Sequence, residues 1–174
     1  MQDMIEIVGP MIPSLRRYAR ALLRDTAAAD DLVQDTLERA ISRWHQRRED
    51  ASTRAWLLTI LHNLAINTMR RNRRRGVPVA IDAVEESTMA TLPAQEAGLA
   101  QRDVLRAVGQ LPEDQRTLLL LIALEGVSYA EAATITGVPV GTVMSRLSRG
   151  RERLRSLLAN PGETAARPML RSVK

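Results

Sequence analysis

Cysteine is absent from this chain, which excludes disulfides, thiol redox chemistry and thiolate metal sites. Phenylalanine is absent too, and aromatic residues make up only 2% of the 174 positions. Histidine occurs twice, at His45 and His62, too rarely for most imidazole-based metal centres. Lysine occurs once, at Lys174, so nearly all positive charge is guanidinium. No run approaches the roughly 18 apolar residues that a membrane span needs. The opening stretch MQDMIEIVGPMIPSL carries acids where a signal peptide would be basic. There is no Gly-rich phosphate loop and no plausible catalytic or metal-ligating cluster. These absences lead to the expectation of a cytoplasmic protein without membrane insertion, cofactor or catalytic site.

What is present suits helices. Hydrophobic residues account for 45% of the chain, and Leu, Ile, Val, Ala and Met must build the core. No segment has a convincing period of two, so the expected class is all-α. The net charge is +5 and the isoelectric point about 10.8. Planar, permanently ionised arginine suits phosphate binding.

The charge is unevenly placed. Residues 1–75 hold 14 basic and 9 acidic side chains, residues 76–100 hold four acids and no base, and residues 101–174 hold 11 bases and 7 acids. Two basic blocks thus flank an acidic segment containing Gly76, Pro78 and Pro93. That segment reads as a linker, alternatively as an acidic strand that mimics nucleic acid. The expected organisation is a first helical domain over 1–75, a linker over 76–100, a second helical domain over 101–160 and a frayed tail over 161–174.

Helical periodicity predicts three helices in the first block, over about Ile12–Leu23, Ala28–Trp44 and Thr53–Arg71. The second places Leu32, Val33, Leu37, Ala40, Ile41 and Trp44 on one face. Leu57, Ile60, Leu61, Leu64 and Thr68 lie on the inner face of the third. In the second block the periodicity predicts helices over about Gln101–Gly109, Pro112–Glu125, Ser128–Thr136 and Val140–Leu158. His62, which has no acid–base partner in the sequence, is expected on a helix surface.

Two of these helices carry a motif. Ser128 and Glu131 form a capping box, Gly137 permits the positive φ that ends a helix, and Pro139 redirects the chain. Two helices joined by so short a turn make a helix-turn-helix unit, whose second helix enters the major groove. Val143, Leu147, Gly150, Leu154 and Leu157 fall on the core side of that helix. Ser145, Ser148 and Arg149 lie opposite, with Thr142 and Arg146 beside them. Ser145 and Arg149 are the expected base-facing groups, and Arg146 and Arg153 the expected phosphate contacts.

The third helix ends in MRRNRRR, more guanidinium than a helix terminus needs. Trp56, Thr59, Asn63, Asn67 and Arg70 lie along its outer face, with Arg71 following. Amides and an aromatic beside a basic patch suit single-stranded bases, although Trp56 also fits a core. The helix DDLVQDTLERA differs, because Asp31, Gln34, Asp35 and Glu38 make its exposed side acidic. Such a face suits a basic protein partner rather than DNA.

Four stretches, DDLVQDTLERAISRW, RAWLLTILHNLAINTMRRNRRR, LPEDQRTLLLLIALEGVSYAEAA and VPVGTVMSRLSRGRERLRSLL, occur in this order. Together they resemble bacterial RNA polymerase sigma factors of the extracytoplasmic-function (ECF) group, over about Leu15 to Leu158. The resemblance implies two small helical domains, a sigma-2-like three- or four-helix bundle and a sigma-4-like helix-turn-helix domain, on a flexible linker. It implies that Asp31, Gln34, Asp35 and Glu38 bind the β′ clamp helices of core RNA polymerase. It implies that Trp56, Asn63, Asn67, Arg70 and Arg71 read and hold open the −10 element, Asn63 lining a pocket for a flipped base. Thr142, Ser145, Arg146, Ser148, Arg149 and Arg153 would read the −35 element, with the same domain packed on the β flap and the linker in the RNA-exit region. An anti-sigma factor is a further implied partner.

Met144, Leu37, Ser148 and Asn67 depart from residues frequent in the group, so the promoter bases are not carried over. Two rival readings follow from the residues alone. One is a stand-alone helix-turn-helix regulator whose first block dimerises or senses. The other is a nucleic-acid-processing enzyme with Asp30, Asp31 and Asp35 as metal ligands.

Overall fold

Local signals set where each helix begins and ends. In the computed structural model, which describes residues 2–47, 52–74 and 96–159, all regular elements are helical. α1 (Gln2–Val8) leads through a 3-10 turn (Gly9–Met11) into α2 (Ile12–Leu23). Asp25, extended at φ −138°, accepts a hydrogen bond from the Ala28 amide at 3.0 Å and so caps α3 (Thr26–Ser42). After a second 3-10 turn (Trp44–Gln46), Ser52 accepts from the Ala55 amide at 3.2 Å at the start of α4 (Thr53–Arg74). α5 (Glu96–Gly109), α6 (Glu113–Glu125), α7 (Tyr129–Thr136) and α8 (Val140–Ala159) complete the order. Sequence periodicity did not reveal α1. Residues 96–100, expected in the linker, belong to α5; the rest of the expected linker and the expected tail lie outside the described residues.

The first unit packs α2, α3 and α4 around Leu15, Tyr18, Leu22, Leu32, Val33, Leu57, Leu58 and Leu61, each at most 3% exposed. At roughly 1.5–3 kcal/mol per fully buried aliphatic side chain, this stripe supplies most of the drive for the bundle. The inner stripe of α3 is Ala29, Leu32, Val33, Thr36 and Ala40. Thr36 is tolerated there because its hydroxyl donates to the Leu32 carbonyl at 2.7 Å. Ile41, expected inside, is 54% exposed. It sits one helical step beyond Ala40, off the buried stripe. Trp44 lies past the end of α3, half-buried and edge-to-face with Trp56 at 6.1 Å between ring centroids.

The second unit packs α5 to α8 around Leu111, Leu118, Leu121, Ala132, Ile135, Val143 and Leu147. The two cores form one buried cluster, because α2 lies against α6 and α4 against α7. That docking explains His62. Expected on a surface, it is 7% exposed, in a cleft that α6 and α7 also line. Leu58 and Ala65 of α4 are buried as well, while Leu64 and Thr68 are only half-buried. α4 is enclosed on more sides than a helix of an isolated bundle would be.

Arg24 ends α2 in the left-handed region, at φ 59°, which costs a non-glycine residue about 1–2 kcal/mol. Its side chain is buried and reaches α5, where any side chain at Gly109 would collide with the guanidinium. Packing between the units therefore holds a backbone conformation that the residue disfavours.

Candidate protein-docking and nucleic-acid surfaces

The structure leaves the acidic face of α3 open. Asp31, Gln34, Asp35 and Glu38 are all exposed, and Gln34 donates to the Glu38 carboxylate at 3.0 Å. Asp30, one residue earlier, is different: Arg16 and Arg20 hold it at 3.1 and 3.4 Å within the unit. None of Asp31, Asp35 and Glu38 forms an ion pair with another described residue. Their charge is available to a cationic partner. Ile41 stands one turn beyond Glu38 and two beyond Gln34, so the exposed strip ends in an apolar group.

On α4, Asn63, Asn67, Arg70 and Arg71 are exposed and follow one another at helical spacing. Asn67, Arg70, Arg71 and Arg74 line a shallow depression. Arg74 was legible only as part of an arginine run; its place beside Asn67 is a finding of the fold. Trp56 does not stand on this open face. It is half-buried and packs against Trp44, over whose ring the Arg47 guanidinium also lies, at 4.7 Å from the centroid.

The α7–α8 unit forms as its sequence predicts. Ser128 Oγ accepts from the Glu131 amide at 3.2 Å, and the Glu131 carboxylate accepts from the Ser128 amide at 2.8 Å. The Ser128 amide and the Ser128 hydroxyl, which also donates to that carboxylate at 2.8 Å, hold the Glu131 carboxyl below the usual carboxylate range. Gly137 ends α7 at φ 68°, and α8 begins three residues on. Val143, Leu147 and Gly150 are buried. Ser145, Ser148, Arg149 and Arg153 are exposed and Thr142 is half-buried. Arg149 donates to the Ser145 carbonyl at 3.2 Å, which lays its side chain along the helix. Arg146 is apart from this set: it pairs with Asp114 of α6 at 3.1 Å and faces the cleft between the units.

That cleft, about 620 Å³, is lined by Arg70 and Arg73 of α4, Arg146 of α8 and the first turn of α6, among others. Arg73 reaches Glu113 at 3.0 Å. His62 opens into the same space, with no hydrogen-bond partner at Nδ1. Desolvation, followed by the charge of Arg70, lowers its pKa from 6.5 to about 4, so the ring is neutral near pH 7.

A further polar cluster escaped the sequence reading. The Glu125 side chain is fully buried at the end of α6. It accepts from Ser14 and Arg17 of α2, the latter at 3.1 Å, and from Arg54 of α4 at 2.7 Å. One signal was available: an acid in the last turn of a helix opposes the dipole, so Glu125 needed a tertiary partner.

No described helix is long and apolar enough to cross a membrane. Residues 8–62 match the family described as the sigma2 domain of PhyR, and residues 101–154 match sigma-70 region 4. The chain is 42% identical to the ECF RNA polymerase sigma factor EcfG of Rhodopseudomonas palustris over 147 residues, 84% of this chain and 80% of that one. It is 34% identical to the ECF sigma factor SigL of Mycobacterium tuberculosis over 154 residues, 86% of this chain and 85% of the relative. Among solved structures, the sigma factor RpoE of Bartonella quintana, crystallised with the anti-sigma factor NepR, is similar with a TM-score of 0.75. It is 37% identical, and the match covers 91% of this chain and 98% of that one. Two helical units in this order, each matching one sigma region, together with relatives of this identity over most of their length, establish that the chain belongs to the ECF group of RNA polymerase sigma factors.

Proposed function

We propose that this chain docks on core RNA polymerase through α3 and directs the enzyme to promoters by reading two elements with two different helices. The observation that carries this reading is the separation of charge. An open anionic strip on α3 lies in the same molecule as exposed arginines on α4 and α8. A polyanion repels the first and attracts the others, so the acidic strip is left for a protein with a basic surface.

In this reading Asp31, Gln34, Asp35 and Glu38 meet the β′ clamp helices, with the second unit on the β flap. Ser145 and Arg149 read bases of the −35 element, supported by Thr142 and Ser148, while Arg153 meets phosphate. Arg146 joins them once it leaves Asp114. Asn63 and Asn67 bond the edges of unstacked −10 bases, and Arg70 and Arg71 hold the strand. Trp56 contributes from its edge, braced by Trp44. Strand opening is driven by binding energy, as bases captured outside the duplex offset lost stacking of a few kcal/mol each. The site of action is with the polymerase in the cytoplasm. The similarity to a sigma factor crystallised with NepR supports an anti-sigma partner for this chain.

Run-off transcription with core polymerase tests the assignment. Asp35→Arg is expected to lose core binding in a pull-down and run-off with it. Arg149→Ala is expected to keep core binding and lose selection between promoter variants at the −35 element. Wild-type behaviour of both variants would refute the residue roles. Binding of the chain alone to a palindromic duplex, without polymerase, would favour a stand-alone regulator instead.

A further inference from the structure

We propose that Glu125, held by Ser14, Arg17 and Arg54, is an autoinhibitory latch that keeps the two promoter-reading units closed on each other until the polymerase separates them. The inference rests on the reading of α4 and α8 as the −10 and −35 readers.

Closure and promoter reading are geometrically incompatible. Arg73 of α4 and Arg146 of α8 grip Glu113 and Asp114, which are adjacent residues of α6; their Cα atoms are about 3.8 Å apart. The two reading helices are therefore held within a few side-chain lengths of each other. The two promoter elements lie about 25 base pairs apart, on the order of 85 Å along the duplex at about 3.4 Å per step. A closed body of some 130–150 residues has a radius of gyration of only about 15 Å. It cannot place α4 and α8 on both elements at once. The acidic strip of α3 stays exposed in the closed form, so core polymerase can dock there first. Twenty-one residues join Arg74 to Glu96, so the covalent connection does not forbid separation.

The seam has the chemistry of a reversible contact. Glu125 is 0% exposed at its side chain, yet its partners Arg17 and Arg54 are 39% and 36% exposed. Arg17 also donates to the Leu124 carbonyl at 2.9 Å and Arg54 to the Glu125 carbonyl at 2.5 Å, so both guanidiniums clasp the end of α6. Beside them Tyr18 is fully buried with its hydroxyl unpartnered, and burial together with the Glu125 charge raises its pKa. When the units part, every one of these groups regains water. A buried ionic cluster gives little net stability over its hydrated components but penalises the loss of a single partner. Such a seam opens as a whole and resists piecemeal change.

Because the chain has no cysteine, Ser42→Cys and Ser156→Cys place one donor and one acceptor dye on the two units without background labelling. The labelled full-length chain is expected to show high energy transfer. Glu125→Gln, and separately the pair Arg17→Ala with Arg54→Ala, are expected to lower it while far-ultraviolet circular dichroism stays at the wild-type value. Unlabelled variants are expected to reach half-maximal run-off at a chain concentration at least threefold below wild type. If Glu125→Gln loses helical content, the Arg17 and Arg54 pair decides alone. Unchanged transfer in folded variants overturns the latch. Lowered transfer with an unchanged half-maximal concentration overturns its inhibitory role. A wild-type chain that supports no run-off at all refutes the sigma-factor residue roles instead, and the dye measurement still decides whether Glu125 closes the molecule.

Discussion

An imidazole that loses its water on folding resists protonation, and His62 is the residue where this matters. Its folded pKa is near 4, against 6.5 for the free side chain. Between those values the unfolded chain takes up a proton that the folded chain refuses. The stability that His62 contributes is therefore complete above about pH 6.5 and is lost progressively as the pH falls toward 4, by up to about 3 kcal/mol. His62→Gln, which cannot titrate, should show a shallower loss. Denaturation midpoints of both chains from pH 7.5 to 4.5 measure the difference, and parallel curves would contradict this account. Nothing in the local sequence foretold it. His62 occupies a helical position that a three-helix bundle would leave in solvent, and only the docking of α6 and α7 covers it.

At the scale of an element, the turn between α7 and α8 is the most sequence-determined part of the molecule. Ser128, Glu131, Gly137 and Pro139 each act on a neighbour within a few positions, so their effect needs no tertiary context. Gly137 sits at φ 68° with open space where a side chain would project. Gly137→Ala therefore costs only backbone strain, about 1–2 kcal/mol, and should lower the thermal midpoint by several degrees without changing the helical content at 20 °C. A loss of α7 at that temperature would show that the turn does more than set an angle. On α3 the same locality failed at one end. Periodicity put Ile41 with Ala40, but the chain leaves the helix at Arg43, φ −114°, and turns Trp44 toward Trp56. A hydrophobicity pattern does not reveal which turn of a helix outruns its neighbours.

For the whole molecule, affinity for promoter DNA should be strongly salt-dependent in the polymerase complex. Each arginine that neutralises a phosphate releases counterions, and the logarithm of the binding constant falls by about 0.9 per contact for each logarithm of salt. Arg153→Ala should reduce that slope by about one and weaken all promoters alike. Arg149→Ala should instead change the ranking of promoters. Titrations at a series of salt concentrations on two promoters separate these outcomes. If Arg153→Ala reorders the promoters and leaves the slope unchanged, the two roles are reversed.

The sequence by itself determined the helices α2 to α8, the capping box, the helix-turn-helix and the division between an acidic helix and arginine-rich ones. Those properties depend on residues one to eight positions apart, within reach of a single helix's periodicity. Only the tertiary structure decided that the two units share one buried cluster, that His62 is inside and that Arg146 faces Asp114. The contacts that make Glu125 a bridge join residues 71 to 111 positions apart. A carboxylate at the end of α6 is locally unfavourable, and its reason for being there exists only once two distant helices supply the cations that surround it.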